Sequence, residues 1–102
     1  MKKIIDGKTY NTETAEKIAN WWNGLGDRDF RNCEENLYKT KKSAWFISGE
    51  GGAMSRWCES NGNTTSGGEG ILVLSESEAL AWCESHDVDA ETIEENFKVE
   101  EA

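Results

Sequence analysis

The residues best suited to chemistry are three cysteines and one histidine. Cys33, Cys58 and Cys83 follow one another at intervals of 25 residues, and the last two each stand in the tetrapeptide WCES. His86, the single histidine, comes three residues after Cys83. Three thiolates and an imidazole are an acceptable ligand set for zinc. Structural zinc sites usually bring their ligands in two close pairs, however, and only Cys83 and His86 form one here. We therefore expect no metal and no other cofactor.

The same residues could form a nucleophilic site, because a histidine base beside a cysteine activates its thiol. No third residue that would orient His86 stands out, and we expect no enzymatic activity. The two WCES segments have unlike surroundings, which argues against an internal repeat. We predict instead that Trp and Cys are core-facing neighbours at two helical sites, where reduced cysteines act as small hydrophobic residues.

Two glycine clusters, GEGG (49–52) and GGEG (67–70), could suggest a phosphate-binding loop. Neither cluster contains the Gly-Lys-Ser/Thr that holds phosphate and magnesium, and neither has the GxGxxG spacing. Each carries a glutamate, which would repel phosphate. We predict that these glycines serve turns with positive φ.

Three lysines next to aromatic residues offer a second function. Basic side chains beside stacking aromatics are typical of proteins that bind single-stranded nucleic acid. The alternative interpretation of the chain is therefore a nucleic-acid-binding accessory domain. Its residues would be Lys39, Lys41 and Lys42, beside Tyr38, Trp45 and Phe46. We predict that the aromatics belong to the core instead.

Length and apolar content predict one domain in the cytoplasm. The chain has 102 residues, which suits a single domain. Its first residues, MKKIIDGKTY, lack an apolar run of signal-peptide length, and no window approaches the roughly 20 apolar residues of a membrane span. We expect a soluble, intracellular protein with reduced thiols and no membrane partner.

Hairpins dominate the first half of the predicted fold. Asp6-Gly7 between two β-prone runs predicts a two-residue hairpin. Residues 14–22 have both helical periodicity and strand-like composition, so this segment stays open. Residues 30–40 alternate, with Cys33, Glu35 and Leu37 on one side, and predict a second hairpin with 43–48.

The second half is predicted to contain loops, one strand and helices. We expect a short helix in AMSRWCES (53–60), a loop in NGNTTSGG and a buried central strand in ILVL (71–74). Ser75 and Glu78 form a capping-box pattern before a helix that runs to about Ser85. Asp89 can cap a second helix that directs Ala90, Ile93 and Phe97 to the core.

These elements predict a small α+β domain with an antiparallel sheet built from hairpins and helices mainly in the C-terminal third. Within the single domain 1–102 we expect a hairpin-rich sheet (1–48), glycine-rich loops with a short helix (49–70), and a strand followed by acidic helices (71–102).

Several stretches together resemble a known group of proteins. They are IIDGKTYNTETAEKIANWW, CEENLYKTKKSAWFISGEGGAMSRWCES, and SGGEGILVLSESEALAWCES with the following DVDAETIEENF. They resemble small proteins carried on phages and other bacterial mobile elements, some of which are anti-CRISPR inhibitors of type II RNA-guided nucleases. The resemblance covers most of the chain and brings no catalytic motif. It implies an inhibitor in the cytoplasm of a bacterial host cell.

The charge distribution agrees with that implication. The net charge is −9, and residues 76–102 hold ten acids against Lys98 alone. Such a block repels nucleic acid and attracts basic surfaces, so we expect no direct nucleic-acid binding. The expected partner is a CRISPR effector nuclease or another basic nucleic-acid-binding protein, whose phosphate sites the carboxylates would occupy. The predicted partner-binding residues, called the acidic surface below, are Glu84, Asp87, Asp89, Glu91, Glu94 and Glu95, with Glu50 and Glu69 as additions.

Overall fold

The computed structural model describes all 102 residues and contains eight strands and two helices. In chain order the strands are β1 (Lys2–Ile5), β2 (Lys8–Asn11), β3 (Glu16–Trp22), β4 (Cys33–Lys39), β5 (Trp45–Gly51), β6 (Glu59–Asn61), β7 (Thr64–Ser66) and β8 (Gly68–Leu74). The helices are α1 (Glu76–Ser85) and α2 (Ala90–Asn96).

The main sheet has four antiparallel strands in the order β3-β4-β5-β8. The pairs β1–β2 and β6–β7 are separate hairpins. Both helices follow the last strand, and α1 packs against β5 and β8. The predicted α+β class, with an antiparallel sheet and C-terminal helices, is confirmed. Neither helix has the length and apolar character that crossing a membrane requires.

The first predicted hairpin is confirmed. β1 and β2 pair from Lys2 opposite Asn11 to Ile5 opposite Lys8. The two turn residues Asp6 and Gly7 have φ of 51° and 75°. Two consecutive positive φ values are what a type I′ turn needs, and Asp-Gly supplies them at low cost.

The open segment 14–22 forms a strand. β3 pairs with β4, and a bulge between Lys17 and Ala19 adds one residue to β3. This extra residue is Ile18, and the bulge lets Ile18, Ala19 and Trp21 all pack against the core. Pairing with β4 thus outweighs the helical spacing of the apolar residues in this segment.

The second predicted hairpin, β4–β5, is also confirmed. Its turn has no glycine, and Ser43 adopts the positive φ of 66° instead. Cys33, Glu35 and Leu37 lie on one face of β4, as their alternation predicts, and the structure shows that this face is the buried one. Leu37 lies opposite Ile47 on β5, and both belong to the core beneath α1.

The predicted helix at residues 53–60 is wrong. Turns cover this segment, with backbone hydrogen bonds from Ser55 to Gly52 and from Cys58 to Ser55, and β6 begins at Glu59. Trp57 is half-buried and Cys58 is exposed, so the expectation of a helical, core-facing Trp–Cys pair fails here. The physical reason is that Arg56 and Trp57 are drawn to a buried carboxylate on β4, described below.

Two further expectations are corrected. The segment NGNTTSGG contains a hairpin, in which Gly62 at φ 65° begins the turn between β6 and β7. The run ILVL belongs to β8, which is an edge strand and not a central one. Leu72 and Val73 are 41% and 37% exposed. A short apolar run does not reveal whether its strand lies at the edge or in the centre of a sheet. Partners elsewhere in the chain set the strand order.

The core between the sheet and α1 contains Leu37, Trp45, Ile47, Ala79, Trp82, Cys83 and Phe97. The predicted capping box of α1 is present, with Ser75 and Glu78 bonded reciprocally. Asp89 caps α2 as expected. Phe97 reaches the core and Ile93 packs against it, but Ala90 is exposed because it stands in the first turn of α2, away from the sheet.

Candidate functional site

A buried glutamate lies at the centre of the covered side of the sheet. Glu35 of β4 is only 2% exposed, although charged residues are almost never fully buried unless they are paired. It points to the same face as Cys33 and Leu37, beneath the turn at residues 53–58 and beneath α1. The sequence predicts this orientation but gives no reason for an acid in a hydrophobic row.

Four donors from two parts of the chain, the 53–58 turn and α1, account for the burial of Glu35. Arg56 donates from Nε and Nη2, each at 2.6 Å, to the two carboxylate oxygens. The Nε1 of Trp57 donates at 2.7 Å and the Nε1 of Trp82 at 2.8 Å. The thiol of Cys33 adds a weak contact at 3.6 Å. The carboxylate therefore links β4, the 53–58 turn and α1, and no buried side-chain polar atom lacks a partner.

The protonation state of Glu35 follows from these contacts. Burial by itself raises the pKa of Glu35, but the hydrogen bonds from Arg56, Trp82 and Trp57 outweigh it and hold the pKa below its usual value. The group is thus a permanent anion at neutral pH. Because protein donors occupy both oxygens, it has little capacity left to act as a base or to hold a ligand.

Two glycines make room for the donor from Trp57. Gly49 of β5 stands between Glu35 of β4 and Gly70 of β8 in one cross-strand row. A Cβ atom on Gly49 would overlap the Trp57 ring, and one on Gly70 would lie 3.5 Å from it. The glycines of both clusters, 49–52 and 67–70, were predicted to serve turns with positive φ, but none of them has a positive φ. Gly49 and Gly70 lie within strands, where their missing side chains let the indole lie against the sheet.

An open cavity of about 600 Å³ borders this cluster. Arg56, Trp82 and Leu72 line it together with His86, which stacks on Trp21 at 4.0 Å between ring centroids. Burial lowers the pKa of His86, so the imidazole is neutral at physiological pH. The cavity is mainly apolar, and it presents no activated nucleophile.

The cysteines have the properties of packing residues. Burial, followed by the charge of Glu35, raises the pKa of Cys33 to about 11. Burial, followed by the charge of Glu84, raises the pKa of Cys83 to about 11. Both thiols therefore stay protonated at neutral pH, whereas a catalytic cysteine needs a lowered pKa. No group of three His, Cys, Asp or Glu side chains is arranged to hold a metal ion. The absence of enzymatic activity stays a prediction.

The six residues of the acidic surface are all exposed. Glu84 lies near the end of α1, Asp87 and Asp89 lie between the helices, and the others belong to α2. The carboxylate of Asp89 also accepts hydrogen bonds from Thr92. The only ion pairs in the structure are Arg31–Asp29 and Arg56–Glu35. None of the six is therefore neutralised by a lysine or arginine of the chain.

Glu50 and Glu69 lie apart from the helices. They are direct cross-strand partners on β5 and β8, and both are exposed. Glu34 stands opposite Glu50 on β4, so three carboxylates form one row on the face of the sheet away from α1. The two predicted additions thus form a second acidic area of their own.

The β4–β5 hairpin, which carries Lys39, Lys41 and Lys42, lacks the exposed aromatic surface on which the bases of a nucleic acid would stack. Trp45 and Phe46 are buried, as predicted, and Tyr38 stacks on Phe46 at 5.1 Å between ring centroids. The Nζ of Lys39 lies 5.3 Å from the centre of the Trp45 ring. The aromatics are therefore engaged within the protein, and of the three lysines Lys41 and Lys42 are exposed whereas Lys39 is partly buried.

The sequence predicts the exposed acids of the acidic surface but not the cluster of Glu35 with Arg56, Trp57 and Trp82. Two features could have indicated it: an acid at a core position between Cys33 and Leu37, and Arg56, which with Lys98 is one of only two basic residues after position 50. The partners are separated by 21 to 47 residues, so no local pattern joins them.

Comparisons of the chain with protein-family models, with curated proteins and with solved structures give no match.

Proposed function

We propose that this chain is an anti-CRISPR-type inhibitor protein. It uses the acidic surface to occupy the basic, nucleic-acid-binding groove of a type II RNA-guided nuclease. The observation that carries the proposal is the unpaired state of the carboxylates. All six are exposed, and no lysine or arginine of the chain forms an ion pair with any of them. Their charge is thus available to a partner.

The spacing on α2 suits mimicry of a phosphate backbone. Glu91, Glu94 and Glu95 stand at i, i+3 and i+4, which places them on one side of the helix. At 1.5 Å per residue these three charges span an axial distance of about 6 Å. Duplex DNA carries one charge per about 1.7 Å of axis. The charge density of α2 is therefore of the same order as that of the ligand it would replace.

Contacts with the core anchor both helices that carry these charges. Phe97, directly after α2, stacks on Trp45 with ring centroids 4.6 Å apart. Trp82 fixes α1 to Glu35. Carboxylates held in place before binding lose less entropy when they meet a basic groove. Flexible acidic tails would not have this advantage.

The identity of the partner comes from the resemblance to mobile-element proteins. RNA-guided nucleases hold their heteroduplex in a positively charged channel and recognise it mainly through its backbone. An acidic surface that enters this channel would prevent target binding or cleavage. Electrostatic attraction would make association fast and sensitive to salt.

The test is binding of the full chain to a purified type II effector loaded with guide RNA, at low and high salt. We expect binding and inhibition of DNA cleavage, with affinity that falls as salt rises. The triple variant Glu91→Lys, Glu94→Lys, Glu95→Lys should lose both. A control with the same charge change, Glu13→Lys, Glu16→Lys, Asp27→Lys, alters exposed acids outside the acidic surface and should retain both.

Each other outcome contradicts part of the proposal. Equal losses in the two triple variants would show that net charge, and not this surface, drives binding. Retained binding in the α2 variant would place the interface elsewhere. Absence of binding by the unaltered chain would exclude this class of partner.

A further inference from the structure

No strand pairs with the outer edge of β8, and Glu69, Leu72 and Val73 along it are exposed, whereas Gly70 is buried beside Trp57. β8 is a seven-residue strand that pairs with β5 on one side only. No turn, loop or side chain forms a hydrogen bond with the backbone of residues 68–74 from the other side. The outward N–H and C=O groups therefore have no protein partner, which is the condition for strand addition.

The opposite edge of the same sheet is protected. β3 contains a bulge next to Lys17, and both Glu16 and Lys17 are exposed. Bulges are a common means of blocking strand addition. β8 has no bulge in its pairing, and Glu69 is its only charged residue. Leu72 and Val73 are exposed on its two faces. One edge is thus closed to a partner strand and the other is not.

We propose that β8 pairs antiparallel with β8 of a second copy of this chain, about a two-fold axis at Ile71. This register follows from the sequence of the strand, GEGILVL, in which the two halves are complementary. On the face under α1, residues 68 and 70 are glycines and residues 72 and 74 are leucines. An axis at Ile71 sets each leucine of one copy opposite a glycine of the other, so large and small residues alternate across the interface.

The surroundings of Gly70 give Leu72 of the second copy a contact. The Trp57 ring lies against Gly70, with ring carbons 3.5 Å from the position of a Cβ atom. Leu72 of the second copy, opposite Gly70, comes beside this half-buried indole. In the single chain the side chain of Leu72 is 41% exposed, so pairing removes apolar surface from water.

Charge selects the antiparallel arrangement. In parallel, in-register pairing the two Glu69 side chains would be neighbours, and like charges at that position destabilise a sheet. In the antiparallel register they are four residues apart along the strand, about 13 Å, which exceeds the Debye length of about 8 Å at physiological salt. Each Glu69 then stands opposite Val73 of the other copy.

The total charge makes the dimer sensitive to salt. Each chain carries −9, so two copies repel one another. Added salt screens this repulsion. We therefore expect the dimer to strengthen as salt rises, which is opposite to the salt dependence of binding to a basic partner. The inference rests on the edge of β8 and not on the proposed function. Because dimerisation and binding to a basic partner respond to salt in opposite directions, the two can be tested separately.

Sedimentation velocity of the full chain, over a wide concentration range at low and high salt, tests the dimer. The register is tested by Val73→Lys and Val73→Glu. With Glu69 of the second copy opposite, the lysine adds two attractive pairs and the glutamate two repulsive ones. We expect dissociation constants about fivefold lower and fivefold higher than that of the original chain. The double variant Val73→Glu, Glu69→Lys should restore dimerisation.

Matched controls separate this effect from net charge. Ile4→Lys and Ile4→Glu make the same charge changes on the separate β1–β2 hairpin, where Ile4 is 74% exposed. They should shift dimerisation much less than the Val73 pair. Hydrogen exchange of the unaltered chain provides a measurement without variants: amides of β8 should become slower with concentration, and those of β3 should not.

A chain that stays monomeric at every concentration and salt overturns the inference. So does a dimer in which the Val73 and Ile4 variants behave alike, or in which β8 amides gain no protection.

Discussion

The indole Nε1 of Trp82 lies 2.8 Å from Oε1 of Glu35, and this bond ties α1 to the middle of the sheet across 47 residues of sequence. The same carboxylate holds Arg56 and Trp57. α1 leads directly into the acidic surface, so a buried structural anion positions the exposed anions that we propose to be functional.

Replacing Glu35 should be strongly destabilising. In Glu35→Gln one carboxylate oxygen becomes an NH₂ group, which donates hydrogen bonds and cannot accept them. The guanidinium and indole N–H groups on that side then lose their acceptor. We expect a loss of about 3 kcal/mol in the free energy of unfolding, measured by urea denaturation. The control Glu50→Gln, on an exposed residue, should change it by less than about 0.5 kcal/mol. Similar values for the two variants would refute the structural role of the Glu35 cluster.

The two glycines beneath Trp57 should differ in their tolerance of alanine. A Cβ on Gly49 overlaps the indole, whereas one on Gly70 makes an ordinary contact. Gly49→Ala should therefore cost about 3 kcal/mol in stability and Gly70→Ala less than about 1 kcal/mol. Thermal unfolding followed by tryptophan fluorescence measures both. Equal tolerance at the two positions would mean that the ring does not lie over Gly49.

Acid should remove the contribution of Glu35. Its pKa is lowered in the folded chain, so between the folded pKa and the ordinary value of about 4.3 the unfolded chain binds more protons. The stabilisation is complete above that ordinary value and is lost as pH falls through the folded pKa. The stability difference between the original chain and Glu35→Gln should thus be constant from pH 7 to pH 5 and shrink below about pH 4. Urea denaturation at each pH measures it, and a difference that does not change with pH would contradict this assignment.

Phe97 should control whether α2 stays folded. A seven-residue helix is not stable alone, and α2 has no buried residue of its own. Phe97→Ala removes the stack on Trp45 and should cost about 3–4 kcal/mol. Hydrogen exchange at low temperature, where the sheet remains folded, should show rapid exchange in α2. Val99→Ala, on an exposed side chain, serves as the control and should leave α2 protected.

Local patterns were sufficient where neighbouring residues determine the structure. Asp6-Gly7 encodes its turn, Ser75 and Glu78 encode the start of α1, and the alternation at Cys33, Glu35 and Leu37 encodes the buried face of β4. The exposure of the acids on α2 also follows from helical spacing, because Ile93 and Phe97 occupy the other side.

Only the tertiary structure decided how these elements use one another. In the folded chain β8 lies at the edge of the sheet and residues 14–22 contribute a strand, β3. Residues 53–58 form a turn, from which Arg56 and Trp57 reach Glu35. The physical reason is that a buried charge and a sheet edge are both defined by partners far away in sequence. The sequence alone determined the composition of the strands and the sign of the surface charge, and long-range pairing determined which strand, and which carboxylate, is left without a partner.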